Sequence, residues 1–250
     1  GTDYNSKIST MIDDRSCSYD YSQSKYGSSF NWGAYRLNSA NNQSGKLQVR
    51  MERSTPKLNY AHNKYIQLSG TVRILNAGSV DDNVADTSMS DNDGTYMAQV
   101  KGKHDKIQGK ESRDPAIALF IVKPKRRDNG KGSIIYENGK VKEFKIFSEQ
   151  VTKRGGSGSS GRKIVYITTV KRNRNFFVNI KTGFQTVNGL KKQYIDYTIN
   201  GVNKRISVSS KNTADQITDP IETRIRIGAY RCKGGTAEIL WKDNLKVTRN

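Results

Sequence analysis

Short runs in which apolar and polar residues alternate recur along this chain, and no long run has the apolar spacing of a helix. In KLQVRME, Leu47, Val49 and Met51 alternate with Gln48, Arg50 and Glu52. In TYMAQVK, Tyr96, Ala98 and Val100 oppose Gln99 and Lys101. In RIRIGAYRC, Ile225, Ile227 and Ala229 oppose Arg224, Arg226, Gly228, Tyr230 and Cys232. Successive side chains of a strand point to opposite faces, so each run predicts a half-buried strand with one apolar side. The same pattern predicts strands at 46–53, 65–75, 95–101, 116–123, 133–136, 141–147, 163–170, 175–181, 193–199, 202–208, 222–231 and 236–247. ENGK at 137–140 and INGV at 199–202 carry the Asn-Gly signal of tight hairpins. About a dozen strands with short turns indicate a sandwich, jelly roll or barrel. No repeat of solenoid or propeller period is present. The expectation is one all-β domain over residues 1–250, with 1–45 the part least defined by the pattern.

Between the predicted strands at 141–147 and 163–170 lies GGSGSSG, 155–161, edged by Lys153, Arg154, Arg162 and Lys163. Composition does not change across it. It reads as a flexible hairpin tip edged with cations, a lip over a binding groove, rather than a linker between domains.

Composition then narrows the class. Hydrophobic residues make up 34% of the chain, enough for a core and against disorder. No run is long and apolar enough to cross a membrane as a helix. The start, GTDYNSKIST, has no basic segment followed by an apolar one, as expected of a secreted chain whose leader has been removed. Cys17 and Cys232 are compatible with one disulfide or with two free thiols.

Charge changes the picture most. Lys and Arg number 43 against 23 Asp and Glu, a net charge of +20, which predicts a polyanionic partner. Residues 150–195 hold ten basic residues and no acidic one, whereas the first 45 residues are balanced. The exception is DDNVADTSMSDNDG, 81–94, with five aspartates. Asp91 and Asp93 there could hold a hard cation such as structural Ca²⁺, although Met89 stands where an EF-hand needs its first Asp. A solvated acidic loop is the alternative reading.

Nucleic acid is a rival polyanion, with 13 tyrosines available for stacking, but no RNP, zinc-finger or helix-turn-helix pattern supports it. A glycoside hydrolase needs two carboxylates flanking one bond, whereas Glu52, Glu222 and Glu238 are scattered. Only His62 and His104 are available to a serine or metal hydrolase, and no H-E-x-x-H is present. Three strands with one basic side each are explained by a two-layer sandwich whose basic sides line a common concave sheet. An ordinary solvent-facing side is the alternative. The mixture of Arg, Gln, Lys and Tyr suits carboxylate and sulfate.

RMER (Arg50–Arg53), QVK (Gln99–Lys101) and RIRIGAYRC (Arg224–Cys232) stand in the order of three strand motifs, R-x-E-x-R, Q-x-H and YFKAGVYNQ. On these the chain resembles the jelly-roll polysaccharide lyases related to alginate lyases. The third motif aligns without a gap and places Arg226 on the family's Lys, Gly228 on its Gly and Tyr230 on its catalytic Tyr. Two departures stand out. Arg53 falls one residue early and should point to the other face unless a bulge intervenes, and Lys101 replaces the His. That Lys, with GKH, DPAIALF, RGGSGSSGR and GAYRCKGG, is similar to the ulvan lyases of jelly-roll fold.

The resemblance implies β-elimination on a uronic-acid polymer, with a sulfated algal polysaccharide as partner. It requires no cofactor, and a monomer is expected. Arg50 and Gln99 would grip the uronate carboxylate, Arg through its planar fork. Tyr230 would transfer protons, and Lys101 would be either the base or a further neutraliser of charge. Glu52, Arg53, Lys123, Arg224, Arg226, Arg231 and Lys233 would line flanking sugars, and His104 stands either at the groove rim or as a solvated loop histidine. A binding module without catalysis is the competing reading, as is alginate or glucuronan as the polymer.

Overall fold

The computed structural model describes residues 9–12, 18–25, 31–40, 50–78, 94–105, 111–231, 235–242 and 246–250. They form two large antiparallel sheets and one small hairpin. The first sheet runs Ser9–Ile12, Arg50–Ser54, Pro220–Tyr230, Thr95–Asp105, Ala118–Pro124, Glu143–Val151, Arg162–Lys171, with Leu58–Asn59 and Glu111–Arg113 added at its side. The second runs Val202–Ser207, Leu190–Ile199, Phe176–Val187, Tyr65–Ala77, Gly235–Lys242, Asn31–Ala40, Ser18–Lys25, with Lys246–Arg249 paired to Tyr65–Ala77. The predicted strand at 236–247 is therefore two strands, and residues 1–45 contribute three that their weak alternation did not announce.

One apolar cluster joins the two sheets. Val100, Phe120, Ile225, Ile227 and Ala229 of the first meet Leu68, Val72, Ile180, Phe184 and Ile195 of the second, all fully buried. Phe120 and Tyr197 pack edge to face across the gap with ring centres 5.3 Å apart. Burying an aliphatic or aromatic side chain in such a layer contributes about 1.5–3 kcal/mol. One polar knot interrupts it: Gln193 Nε2 donates to Thr182 Oγ1 at 3.0 Å and to Thr223 Oγ1 at 2.9 Å, and Thr223 Oγ1 donates to the Lys101 carbonyl at 3.1 Å. The backbone that carries Lys101 is thereby tied to the second sheet.

The turns follow the local chemistry. Asn138-Gly139 and Asn200-Gly201 both lie in the left-handed region, as a type I′ hairpin demands, and Asn188-Gly189 makes a third hairpin of the same kind. Strands Glu143–Val151 and Arg162–Lys171 pair directly, so GGSGSSG is a hairpin tip, with a single helical turn at Gly158–Gly161. Its flanking cations divide. Lys153 pairs with Asp215 at 2.8 Å, while Arg154 and Arg162 are buried against Asp114 and Glu149.

Candidate active site

Strand Pro220–Tyr230 lies between Arg50–Ser54 and Thr95–Asp105, and its register brings the three motifs together. Tyr230 stands opposite Arg50 on one side and Tyr96 on the other. Arg226 stands opposite Gln99, and Arg224 opposite Lys101. Paired residues share a face, so Arg50, Glu52, Gln99, Lys101, Arg224, Arg226 and Tyr230 all project from the outer side of the first sheet.

Glu52 is the centre of the cationic part. It is 2% exposed; Gln99 Nε2 donates to its Oε1, and its Oε2 lies 3.6 Å from both Arg50 Nη1 and Arg226 Nη1. A carboxylate so enclosed orients cations and does not itself meet a polyanion. Gly228 faces it across the ladder with φ +146°, and a Cβ there would sit 2.1 Å from the Met51 carbonyl oxygen, so only glycine lets these strands close. The Nε atoms of Arg224 and Arg226 are buried without a hydrogen-bond partner. Buried donors left unpaired on this outer face are what an anionic ligand would satisfy.

Lys101 donates to the Pro115 carbonyl. Burial, then the Arg226 and Arg50 guanidinium groups, push its pKa down to about 8, against an opposing pull from Glu52. A lysine at that value is neutral about 300 times more often near pH 7 than an ordinary one.

Tyr230 is held from both sides. The Arg50 guanidinium carbon lies 4.2 Å above its ring, and the Tyr96 ring centre lies 5.1 Å away at 42°. Alternation assigned Tyr96 to the apolar face with Ala98. The ladder contains an extra residue at Met97, a bulge that reverses the alternation and turns Tyr96 outward. Its hydroxyl donates to Glu149 Oε2 at 2.8 Å, and Glu149 Oε1 is 3.4 Å from Arg162 Nε. Tyr96 and Glu149 are the functional candidates that the motifs missed.

Other expected contacts are placed elsewhere. Arg53 is fully buried on the core face opposite Ile227, with no bulge to turn it, and burial pushes its pKa down to about 10. Arg231 also points inward and clamps the sheets, its Nη1 donating to the Ala77 and Gly94 carbonyls at 2.8 and 2.9 Å. His104 is 2% exposed, with Nδ1 3.1 Å from Asp114 Oδ1, and is neither rim nor solvated loop. Burial would raise the Asp114 carboxyl, but the His104 hydrogen bond and the Arg154 guanidinium together hold it below the usual range. Lys123 is buried on the same outer face, two residues along its strand from the one paired with Tyr96, and 6.0 Å above the Phe147 ring. The basic run at 150–195 is likewise not one patch: Lys181, Lys191 and Lys192 belong to strands of the second sheet. Lys233, Asp91, Asp93, Cys17 and Cys232 lie outside the described residues. Among the described residues, no cluster of three His, Cys, Asp or Glu side chains is placed to hold a metal ion.

Solved structures share this architecture. Alginate lyase A1-II', a member of polysaccharide lyase family-7, superposes with a TM-score of 0.53 at 12% identity, covering 90% of this chain and 85% of that one. Alginate lyase AlyC3 gives 0.55 at 14%, covering 87% and 75%. At such identities they show the fold, a β-jelly roll. In sequence, an endo-acting ulvan lyase of Formosa agariphila is 37% identical over 256 residues, 95% of this chain and 44% of that protein. Ulvan lyase NLR42 of Nonlabens ulvanivorans is 34% identical over 238 residues, 92% of this chain and 40% of that protein. The chain thus spans less than half the length of these relatives. The family profile of the PL28 ulvan lyases matches residues 1–250, the stretch that includes all three motif strands, and the chain belongs to that family.

Proposed function

We propose that this chain is a polysaccharide lyase that cleaves ulvan by β-elimination at its uronic acid. The observation that carries the reading is Tyr230, fixed beside Arg50 on one sheet face that also presents Gln99, Arg226 and a lysine of depressed pKa. Neutral Lys101 removes the proton from C5 of the uronate. The electron pair of that C–H bond forms the C4=C5 double bond, the C4–O bond breaks, and Tyr230 gives its proton to the departing oxygen. Proton transfer from the Lys101 ammonium to the Tyr230 phenolate, directly or through water, restores both groups. Negative charge gathers on the carboxylate as C5 loses its proton, and Arg50 and Gln99 are set to stabilise it. A preorganised donor of this kind is worth about 10²–10³ in rate. Arg224 and Arg226 take the sulfates and carboxylates of adjoining sugars, so KM should rise with salt.

A second reading keeps Lys101 charged and gives both proton transfers to Tyr230; the pH profile separates the two. The test of the function is the ultraviolet absorbance of the C4=C5 bond with ulvan, alginate, glucuronan and heparin in parallel. A rise with ulvan alone supports the proposal. A rise with another polymer overturns the substrate, and retention of ulvan on a column without any rise overturns catalysis.

A further inference from the structure

Tyr96 is the one aromatic residue in contact with Tyr230 whose own hydroxyl is anchored to a buried carboxylate among the described residues. The Met97 bulge places it there, and the pairing Tyr230 to Tyr96 puts it on the flank of Tyr230 opposite Arg50. Tyr96 is 4% exposed, and Glu149, whose carboxylate accepts the hydrogen bond, is also 4% exposed. Glu149 is fixed in turn beside Arg162, whose Nη2 donates to the Ala116 carbonyl at 2.5 Å. Every group in this series is buried, and swinging the Tyr96 ring away would break a buried hydrogen bond to a carboxylate. The Tyr230 phenol therefore has a fixed wall on one side and a guanidinium on the other. Tilted aromatic pairs at about 5 Å are a favoured geometry and constrain both rings.

We propose that Tyr96 is a positioning residue for the elimination: its ring holds the Tyr230 phenol at the angle from which the proton reaches the leaving oxygen, and Glu149 locks Tyr96 in place. The assignment rests on Tyr230 acting as described under the proposed function. Tyr96 touches no reacting atom. Its effect belongs in kcat rather than KM, because Arg50, Gln99, Arg224 and Arg226 grip the polymer without it.

The test compares Tyr96→Leu, Tyr96→Phe and Glu149→Gln with the parent chain on ulvan. Misplacing a reacting group by an ångström costs on the order of 100-fold in rate. Tyr96→Leu should therefore lower kcat by roughly 100-fold with KM within about twofold. Tyr96→Phe keeps the wall but loses the lock and should fall between Tyr96→Leu and the parent, whereas Glu149→Gln, which can still accept from the hydroxyl, should stay nearer the parent. Rates for Tyr96→Leu within threefold of the parent overturn the proposal. So does a loss in Tyr96→Leu that Tyr96→Phe shares in full, or one that raises KM as much as it lowers kcat. A readout independent of turnover uses chain labelled with ¹³C at tyrosine Cζ, the Tyr230 signal being assigned by its loss in Tyr230→Phe. That signal should move and broaden in Tyr96→Leu and stay near its parent position in Tyr96→Phe; an unchanged signal in Tyr96→Leu overturns the wall. If the parent chain cleaves nothing, the proposed function fails while the spectrum still decides the role of Tyr96.

Discussion

The outer face of the first sheet has two unlike halves. Around Glu52, the donors exceed the acceptors: Arg50, Arg226 and Gln99 share one buried carboxylate with Arg224 and Lys101 alongside, and two guanidinium Nε atoms lack a partner. Around Glu149 the charges are matched, one arginine to one carboxylate that also accepts from Tyr96, although Arg162 Nη1 lacks a hydrogen-bond partner, and Phe147, Ile121 and Leu119 fill the space between. Tyr230 stands where the halves meet, its ring against Arg50 on one side and Tyr96 on the other. The unmatched half has charge to offer a ligand; the matched half has rigidity to offer its neighbour. A groove that must stabilise a transient negative charge needs both, since donors act strongly only when they need not reorganise as charge develops.

Breaking the junction should have the largest effect. Tyr230→Phe keeps the ring between Arg50 and Tyr96 but removes the transferable proton, so turnover should fall more than about 10³-fold while ulvan retention on a column is nearly unchanged. Retained activity would remove Tyr230 from the mechanism. Next in size is Gln99→Ala, which takes one donor from the unmatched half and should cost about 10²–10³ in kcat. Steady-state rates that hold above a tenth of the parent would show that Gln99 does not face the developing charge.

The pH profile sharpens the comparison further. With Lys101 as base, kcat requires its neutral form, so the rate should fall about tenfold per pH unit below its pKa of about 8 and level off above it. A rate that instead declines above that value makes Lys101 a charged neutraliser. Glu52 raises the Lys101 pKa, so Glu52→Gln should move the acidic limb to lower pH; a limb that stays in place would separate the two residues. The smallest effect belongs to the outer face of the second sheet. There Arg205 is paired with Asp196 at 2.6 and 2.8 Å, and Arg205→Ala should leave kcat and KM within about twofold. A larger rise in KM would reveal a polymer contact far from the groove.

Much of this was legible along the chain. Alternation in RIRIGAYRC, QVK and RMER put Arg224, Arg226, Tyr230, Gln99, Lys101, Arg50 and Glu52 on the polar sides of their strands, because an uninterrupted strand has a fixed period of two. The same rule overrides the sugar contacts expected of Arg53 and Arg231: both lie on the far face, buried between the sheets. The Asn-Gly turns were readable for a similar reason: their backbone needs two successive residues at positive φ, and few residue pairs accept it.

What the sequence by itself determined, then, is an all-β chain, the faces of its regular strands, its tight hairpins and an excess of positive charge. Only the tertiary structure decided which charges work together. Ten basic residues within one stretch of sequence disperse over two sheets, the turns between their strands and two buried ion pairs, since pairing order across a sheet is set by long-range register rather than by nearness along the chain. Only the fold could turn Tyr96 outward, because a single bulged residue exchanges the faces of everything before it and leaves no mark in the pattern of apolar and polar positions. And only burial, with Arg226 and Arg50 brought alongside from two other strands, could pull Lys101 down into the range where a lysine serves as a base.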